Sequence, residues 1–204
     1  MVGIVDYGMG NLQSVKNALD YLGESAKVCT SPTELDEVEK IVLPGVGAFP
    51  DCMKNLKEKG FISALNKSVL EEKKPILGIC LGMQVMAGSS CEMGETEGLG
   101  WFEGEVTLMN PKDKKIKIPN VGWEDIEYRK DSPLLKNFYR SPDFYFVHSY
   151  YMKCKNDEEV SSWYNLGELK VTASVHRDNI FGTQFHPEKS ADFGREVLIN
   201  FIEY

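Results

Sequence analysis

The chain reads as an α/β protein: a single-domain, open, mixed and mostly parallel sheet with helices on both faces. Three observations predict this class. Over residues 2–90, short apolar runs alternate with stretches of helical period, the pattern written by strand–helix–strand units. One of those runs, Ile76-Leu-Gly-Ile79, ends abruptly on Cys80 between Gly78 and Gly82 and leads into an amphipathic stretch, as a strand–turn–helix junction does. Beyond residue 97 the glycines Gly98, Gly100 and Gly104 break the chain, and short β-like runs separated by turn residues follow. These add mixed or antiparallel strands to the same body.

Taken in order, residues 2–6 are a first β run, and Tyr7-Gly-Met-Gly10 turns the chain. Leu12, Val15, Ala18, Leu19 and Leu22 recur at helical spacing until Gly23 stops the helix. Lys27-Val-Cys29 is a second strand, and Ser31-Pro-Thr-Glu34 carries a helix-start pattern. Lys40-Ile-Val-Leu43 is a third strand, closed by Pro44-Gly-Val-Gly47. Residues 50–73 hold two helical patterns broken near Gly60, and residues 76–79 are a fourth strand whose following helix starts near Met83. The later β-like runs fall at 105–109, 115–118, 124–128, 143–148, 170–176 and 179–185. The basic segment 109–117 reads as a solvated hairpin, and 191–204 as a closing helix.

A chain of 204 residues can bury a substantial core as one domain, 1–204. Its net charge of −8 argues against a general nucleic-acid binder. The five cysteines are scattered and odd in number, without C-x-x-C spacing. That favours reduced thiols in a cytoplasm over a disulfide frame or a zinc site. No charged leader or long apolar stretch is present, so no membrane association is expected. No His, Cys and carboxylate set has metal-ligand spacing. The Gly8-Met-Gly10 turn lacks the further glycine and the lysine of a phosphate loop. No metal and no cofactor is expected.

The chemistry concentrates at two places. A cysteine held at a glycine-boxed turn before a helix meets the positive end of the helix dipole, which favours the reactive thiolate. The alternative for Cys80 is a buried strand-end cysteine. Downstream, Ile180-Phe-Gly-Thr-Gln-Phe-His-Pro-Glu-Lys-Ser190 is a β-rich run in which His186 and Glu188, two apart on an extended chain, face the same side. A carboxylate beside a histidine fixes its tautomer, and the histidine can serve a cysteine as base and acid. Cys80, His186 and Glu188 together make a Cys-His-Glu triad, which suits acyl transfer. Leu81 N–H is one natural oxyanion donor, and Gly45 or Val46 of the Pro44–Gly47 loop can supply another. That loop also reads as an ordinary strand-exit turn.

Gly78-Ile-Cys-Leu-Gly-Met-Gln84 and Phe185-His-Pro-Glu188 resemble the triad-type (class I) glutamine amidotransferase domain. Val5-Asp-Tyr-Gly-Met-Gly-Asn-Leu12, Leu43-Pro-Gly-Val-Gly-Ala-Phe49, Val121-Gly-Trp123 and Tyr145-Phe-Val-His-Ser-Tyr-Tyr151 extend the likeness over essentially the whole chain, toward the glutaminase subunits of imidazole glycerol phosphate synthases. The resemblance implies a flavodoxin-like core and L-glutamine as substrate. It implies Gly47, Gln84, Glu92, His148, Ser149 and Tyr150 as substrate-binding residues. Glu92 stands about three helical turns past the nucleophile, but Gly88-Ser-Ser90 before it would hold it loosely, so a solvated loop carboxylate is the alternative. The bland role for His148 is packing or hydrogen bonding. The resemblance also implies a separate (βα)8-barrel cyclase subunit as ammonia acceptor in a heterodimer, with Asn11, Trp123 and Lys189 at the interface. Lys189 reads equally as a solvated lysine. Three other readings stand beside this one: a paralogous subunit supplying ammonia for amidation of a bacterial surface-glycan sugar, a catalytically silent scaffold that activates a partner, and a cysteine peptidase or amidase of similar fold.

Overall fold

Apolar runs and helical periods resolve into fourteen strands and five α-helices in the computed structural model, which describes residues 1–204. The first part of the chain runs β1 (Val2–Val5), α1 (Leu12–Tyr21), β2 (Ala26–Cys29), β3 (Lys40–Gly45), α2 (Phe49–Glu58), α3 (Phe61–Asn66), β4 (Ile76–Cys80) and α4 (Leu81–Gln84). The second part runs β5 (Ala87–Ser90), β6 (Thr96–Glu97), β7 (Phe102–Leu108), β8 (Asn120–Asp125), β9 (Glu127–Tyr128), β10 (Asp143–His148), β11 (Tyr150–Cys154), β12 (Val160–Leu166), β13 (Leu169–Arg177), β14 (Ile180–Thr183) and α5 (Ala191–Glu203).

The main sheet has eight strands in the order β2-β1-β3-β4-β14-β13-β12-β9. The first five are parallel; β13, β12 and β9 join antiparallel. Parallel strands covered by helices must be apolar on both faces. β3 obeys this: Ile41 and Leu43 pack with Phe49, Leu56, Phe61 and Leu65 of α2 and α3, while Val42 packs on the other side with Val15 and Leu19 of α1 and Val197 and Phe201 of α5. No helix is long and apolar enough to cross a membrane.

The later strands do not all join this sheet. β10 and β8 form a two-stranded antiparallel ribbon, and β11, β7, β5 and β6 form a separate four-stranded sheet. The run Tyr145–Tyr151 is therefore two strands in two sheets, with Ser149 at the crossing. Residues 115–118 are not a strand, and the basic segment before them is an irregular turn-rich connection rather than a hairpin. Ser31 opens a 3₁₀ helix (Pro32–Glu37) through a capping box with Glu34.

The helix after Cys80 is the largest departure. It lasts one turn, because Met86 O accepts from Trp101 N and Phe102 N and the following Gly88, Ser89 and Ser90 are poor helix formers. The chain continues as β5, parallel to β7. Glu92 is thus reached along a strand, not along a helix.

Candidate active site

Sheet register lines up the reactive edge. Gly45 at the end of β3 is paired with Cys80 at the end of β4, and Ile79 is paired with Thr183 at the end of β14. Gly45, Cys80 and Gln184 consequently lie side by side at the carboxyl ends of three parallel strands, where open α/β sheets carry their sites.

Cys80 itself bears the strain of the turn, at φ 56° and ψ −109°. A non-glycine residue held so far from its ordinary conformations costs on the order of 1–3 kcal/mol. The glycines beside it serve close approach instead. A Cβ on Gly82 would stand 1.8 Å from the Leu43 carbonyl oxygen, and one on Gly78 would stand 2.6 Å from the Gly82 carbonyl oxygen. The turn is folded down hard on β3 and on its own strand. With only four residues, α4 offers a weak dipole, and other groups face the sulfur from neighbouring elements.

His186 supplies one of these. It does not sit on an extended strand: β14 stops at Thr183, and Pro187 begins a 3₁₀ turn (Pro187–Lys189). The turn still brings His186 Nδ1 to 2.9 Å from Glu188 Oε1, with both side chains buried. The ring N–H donates to the carboxylate, which leaves Nε2 without a partner among the other hydrogen bonds. Burial opposes a charge on this imidazole, but the Cys80 sulfur and the Glu188 carboxylate outweigh it and raise the histidine to about 9. Ser190 Oγ donates to His186 O at 2.6 Å and accepts from Tyr145 N at 3.0 Å, tying the turn to β10.

Cys80, Leu81, Gln84, Glu92, His148 and His186 line one cavity of about 320 Å³, together with Val46, Gly47, Val147, Ser149 and Tyr150. Gln84 donates to Tyr150 O at 2.8 Å and to Gln184 Oε1 at 3.0 Å. Glu92 is anchored: its Oε2 accepts from Phe49 N at 2.8 Å and its own N–H donates to Ser90 Oγ. It thereby caps the start of α2, directly after the Pro44–Gly47 loop. His148 spends both ring nitrogens, Nδ1 on Tyr150 O at 2.8 Å and Nε2 on Tyr164 Oη at 3.0 Å. Burial holds its imidazole down at about 4, against the pull of the Tyr150 carbonyl and with help from the charge on His186. A neutral ring with Nδ1 protonated fits both bonds.

Gly45 is buried under the elbow; a Cβ there would lie 2.7 Å from Tyr7 Oη and 2.9 Å from Gly82 N. Tyr7 donates to Pro44 O at 2.9 Å. Past this anchor the chain opens: Val46 is 43% exposed and Gly47 stands at φ +104°. Val147 pairs with Val121 and Tyr145 with Trp123 across the ribbon, so an apolar strip runs from the cavity rim to Trp123, which is half-exposed. Lys189 is exposed and forms no ion pair within the chain. Asn11 precedes α1, half-buried, and gives it no side-chain cap.

Gln184 and Ser190 are the site residues that motif reading passes over. Gln184 is fully buried and donates to Cys80 Sγ at 3.6 Å. Its signal in the sequence is a polar residue closing an otherwise apolar run, where burial demands partners.

A family model for class-I glutamine amidotransferases matches residues 3–203. Among curated proteins, "Imidazole glycerol phosphate synthase subunit HisH 1" of Campylobacter jejuni (strain RM1221) is 49% identical over 202 residues, covering 99% of each chain. "Imidazole glycerol phosphate synthase subunit HisH 2" of Nitrobacter winogradskyi is 43% identical over 208 residues, covering 100% of this chain and 98% of the relative. Among solved structures, PurLQS from Thermotoga maritima superposes with a TM-score of 0.78 at 20% identity, over 100% of this chain and 97% of that one. A structure described as a glutamine amidotransferase superposes with a TM-score of 0.76 at 23% identity, over 99% and 97%. Both share the fold. With a family match over nearly every residue and full-length relatives at this identity, the chain belongs to the class-I glutamine amidotransferases.

Proposed function

We propose that this chain is the glutaminase subunit of an imidazole glycerol phosphate synthase, and that residues 1–204 act as one amidotransferase domain. The observation that carries the reading is the 49% identity over 99% of both chains with a relative of that name. In this reading Cys80 Sγ attacks the side-chain amide carbon of L-glutamine. His186 protonates the departing ammonia, leaving a γ-glutamyl thioester. Water, activated by the same imidazole, then releases glutamate. Glu188 fixes the ring and stabilises its charged form. Backbone N–H groups of Leu81 and of Gly45 or Val46 meet the oxyanion. Gly47, Gln84, Glu92, Ser149 and Tyr150 surround the substrate, and His148 acts as a neutral wall.

Free ammonia is lost to protonation and diffusion, so the product needs a covered route. The acceptor in this reading is a (βα)8-barrel cyclase in a heterodimer, docked over the cavity rim, the Trp123 strip, Asn11 and Lys189. Five free cysteines agree with residence in a reducing cytoplasm. Replacing Cys80 with Ala removes the nucleophile, which typically costs many orders of magnitude in turnover. Glutamate release then vanishes while added ammonia still feeds the partner's reaction. Near-normal glutamate release by Cys80→Ala would overturn the assignment.

A second acceptor is favoured by one detail. Several relatives carry the numbers 1 or 2 in their names, as expected of subunits present in two copies. One copy of such a pair is free to serve another acceptor, such as a surface-glycan sugar. Mixing the chain with a histidine-pathway cyclase and following imidazole glycerol phosphate separates the two readings.

A further inference from the structure

We propose that Gln184 is a catalytic residue of this chain: its side-chain amide donates to Cys80 Sγ and holds the attacking sulfur as thiolate. The proposal rests on Cys80 being the nucleophile. β4 and β14 are paired in parallel register up to Ile79 and Thr183, so the next residue of each strand leaves the sheet beside the other. Gln184 Nε2 stands 3.6 Å from Cys80 Sγ, within the reach of a hydrogen bond to sulfur. The amide has no freedom to turn round. Its Oε1 accepts from Gln84 Nε2 at 3.0 Å, and that same nitrogen donates to Tyr150 O at 2.8 Å. A carbonyl oxygen at the far end of the relay can only accept, so Gln84 must donate at both contacts and Gln184 must present its own N–H to the sulfur. The relay thus points one way, toward negative charge on Cys80. A fully buried glutamine aimed at an attacking sulfur is a costly arrangement for packing alone.

Other ionisable groups also face Cys80. His186, braced by Glu188, comes from the turn after β14. Tyr7 lies beneath, and Glu92, His148 and Tyr150 look across the cavity. Gln184 differs from all of them in carrying no charge at any pH, so its removal changes the sulfur without adding a titration.

The test is the pH profile of Cys80 alkylation by iodoacetamide in the full chain, read by mass spectrometry. Exposed Cys91 is the internal reference, and buried Cys52 reports unfolding. Gln184→Met keeps the volume and removes the donor. We expect its Cys80 profile to move to higher pH, with the rate near neutrality falling about three- to tenfold. The limiting rate at high pH should rise by a similar factor of about three to ten, because a less stabilised thiolate is the better nucleophile. The two profiles therefore cross, which a change of packing does not produce. kcat for glutamate release should fall roughly tenfold with KM nearly unchanged. Gln184→Glu, similar in shape, should move the profile further still, and it decides the matter if Cys52 becomes reactive in Gln184→Met. Profiles of either folded variant that superpose on the wild type would overturn the role of Gln184 and leave the nucleophile untouched. If wild-type Cys80 reacts no faster than Cys91, the nucleophile assignment fails and this inference fails with it.

Discussion

The two walls of the cavity are built on opposite principles. The wall that carries Cys80 is fixed by contact: the strained residue is clamped between β3 and β14, and neither Gly82 nor Gly78 has room for one more carbon. The wall that would supply the oxyanion donor is anchored only at its root. Tyr7 holds Pro44, but Val46 is exposed, and a Cβ on Gly47 would meet only the mobile end of Met9. One half of the chemistry is thus set by folding, and the other half is left adjustable. In the reading proposed above, that division gives a docked partner a wall to align when the acceptor is ready.

Two alanine substitutions test the contrast most strongly. Gly82→Ala forces a methyl group into the Leu43 carbonyl, and backbone cannot move aside as a side chain can. A loss above about 4–5 kcal/mol is expected, enough to abolish folding or the elbow. Gly47→Ala pays only for an unfavourable φ, about 1–3 kcal/mol, and should fold while losing glutaminase activity. Chemical denaturation of both variants checks this. Equal destabilisation would remove the distinction between the walls.

If the open wall is set by the partner, the isolated chain should release glutamate slowly. One misaligned oxyanion donor costs about 10²–10³ in rate. Glutamate release measured with and without the acceptor subunit and its ligand gives the factor directly, and equal rates would sink partner gating.

The side of the cavity that faces Cys80 from β10 should show in acid. His148 sits at about 4 when folded, against about 6.5 in an unfolded chain. Its contribution is therefore complete above pH 6.5 and disappears as pH falls through 4, a loss of about 3 kcal/mol. His186, raised to about 9, has the opposite sign: its contribution is complete below pH 6.5 and fades as pH rises through 9. Denaturation midpoints of wild type and His148→Gln from neutral to acid pH should converge as the pH drops. Parallel curves would mean that His148 is not the group being protonated.

The same contrast explains how much of the molecule is legible in its sequence. The parallel half of the sheet was legible because both its faces are apolar and its helices carry a clear period. The elbow was legible because cysteine between two glycines before an apolar stretch has few other uses. The one-turn length of α4 was not, since Met83-Gln-Val-Met-Ala87 keeps a helical pattern that the β5–β7 ladder overrides. The split of Tyr145–Tyr151 between two sheets was hidden for a related reason: a single serine, Ser149, in an aromatic-rich run is a weak mark of where the chain changes partners. Gln184 is not legible in the sequence because its place follows from the register of β14 against β4, a long-range fact.

The apolar strip should matter more than the charge beside it. Trp123 is half-exposed, packs edge-on against Tyr145 at 6.1 Å between ring centroids, and continues through Val121 and Val147 to the cavity rim. Trp123→Ala should weaken the complex by roughly 1–4 kcal/mol if the partner buries it, as aromatic anchors dominate interfaces. A titration with unchanged affinity would put the interface elsewhere.

Lys189 gives the smallest and most diagnostic effect. It stands one residue past Glu188, on the turn that also holds His186, yet it makes no ion pair within the chain. A rim lysine meeting a partner carboxylate contributes only about 0–1 kcal/mol of affinity, because both groups stay partly in water. Its leverage lies in position: a contact on that turn reports directly on the imidazole. Lys189→Ala should therefore leave the denaturation midpoint and the affinity almost unchanged, while more glutamate is released per molecule of acceptor product. If coupling is intact at unchanged affinity, the partner does not reach this turn, and any control it exerts enters through the open wall at Val46 and Gly47 alone.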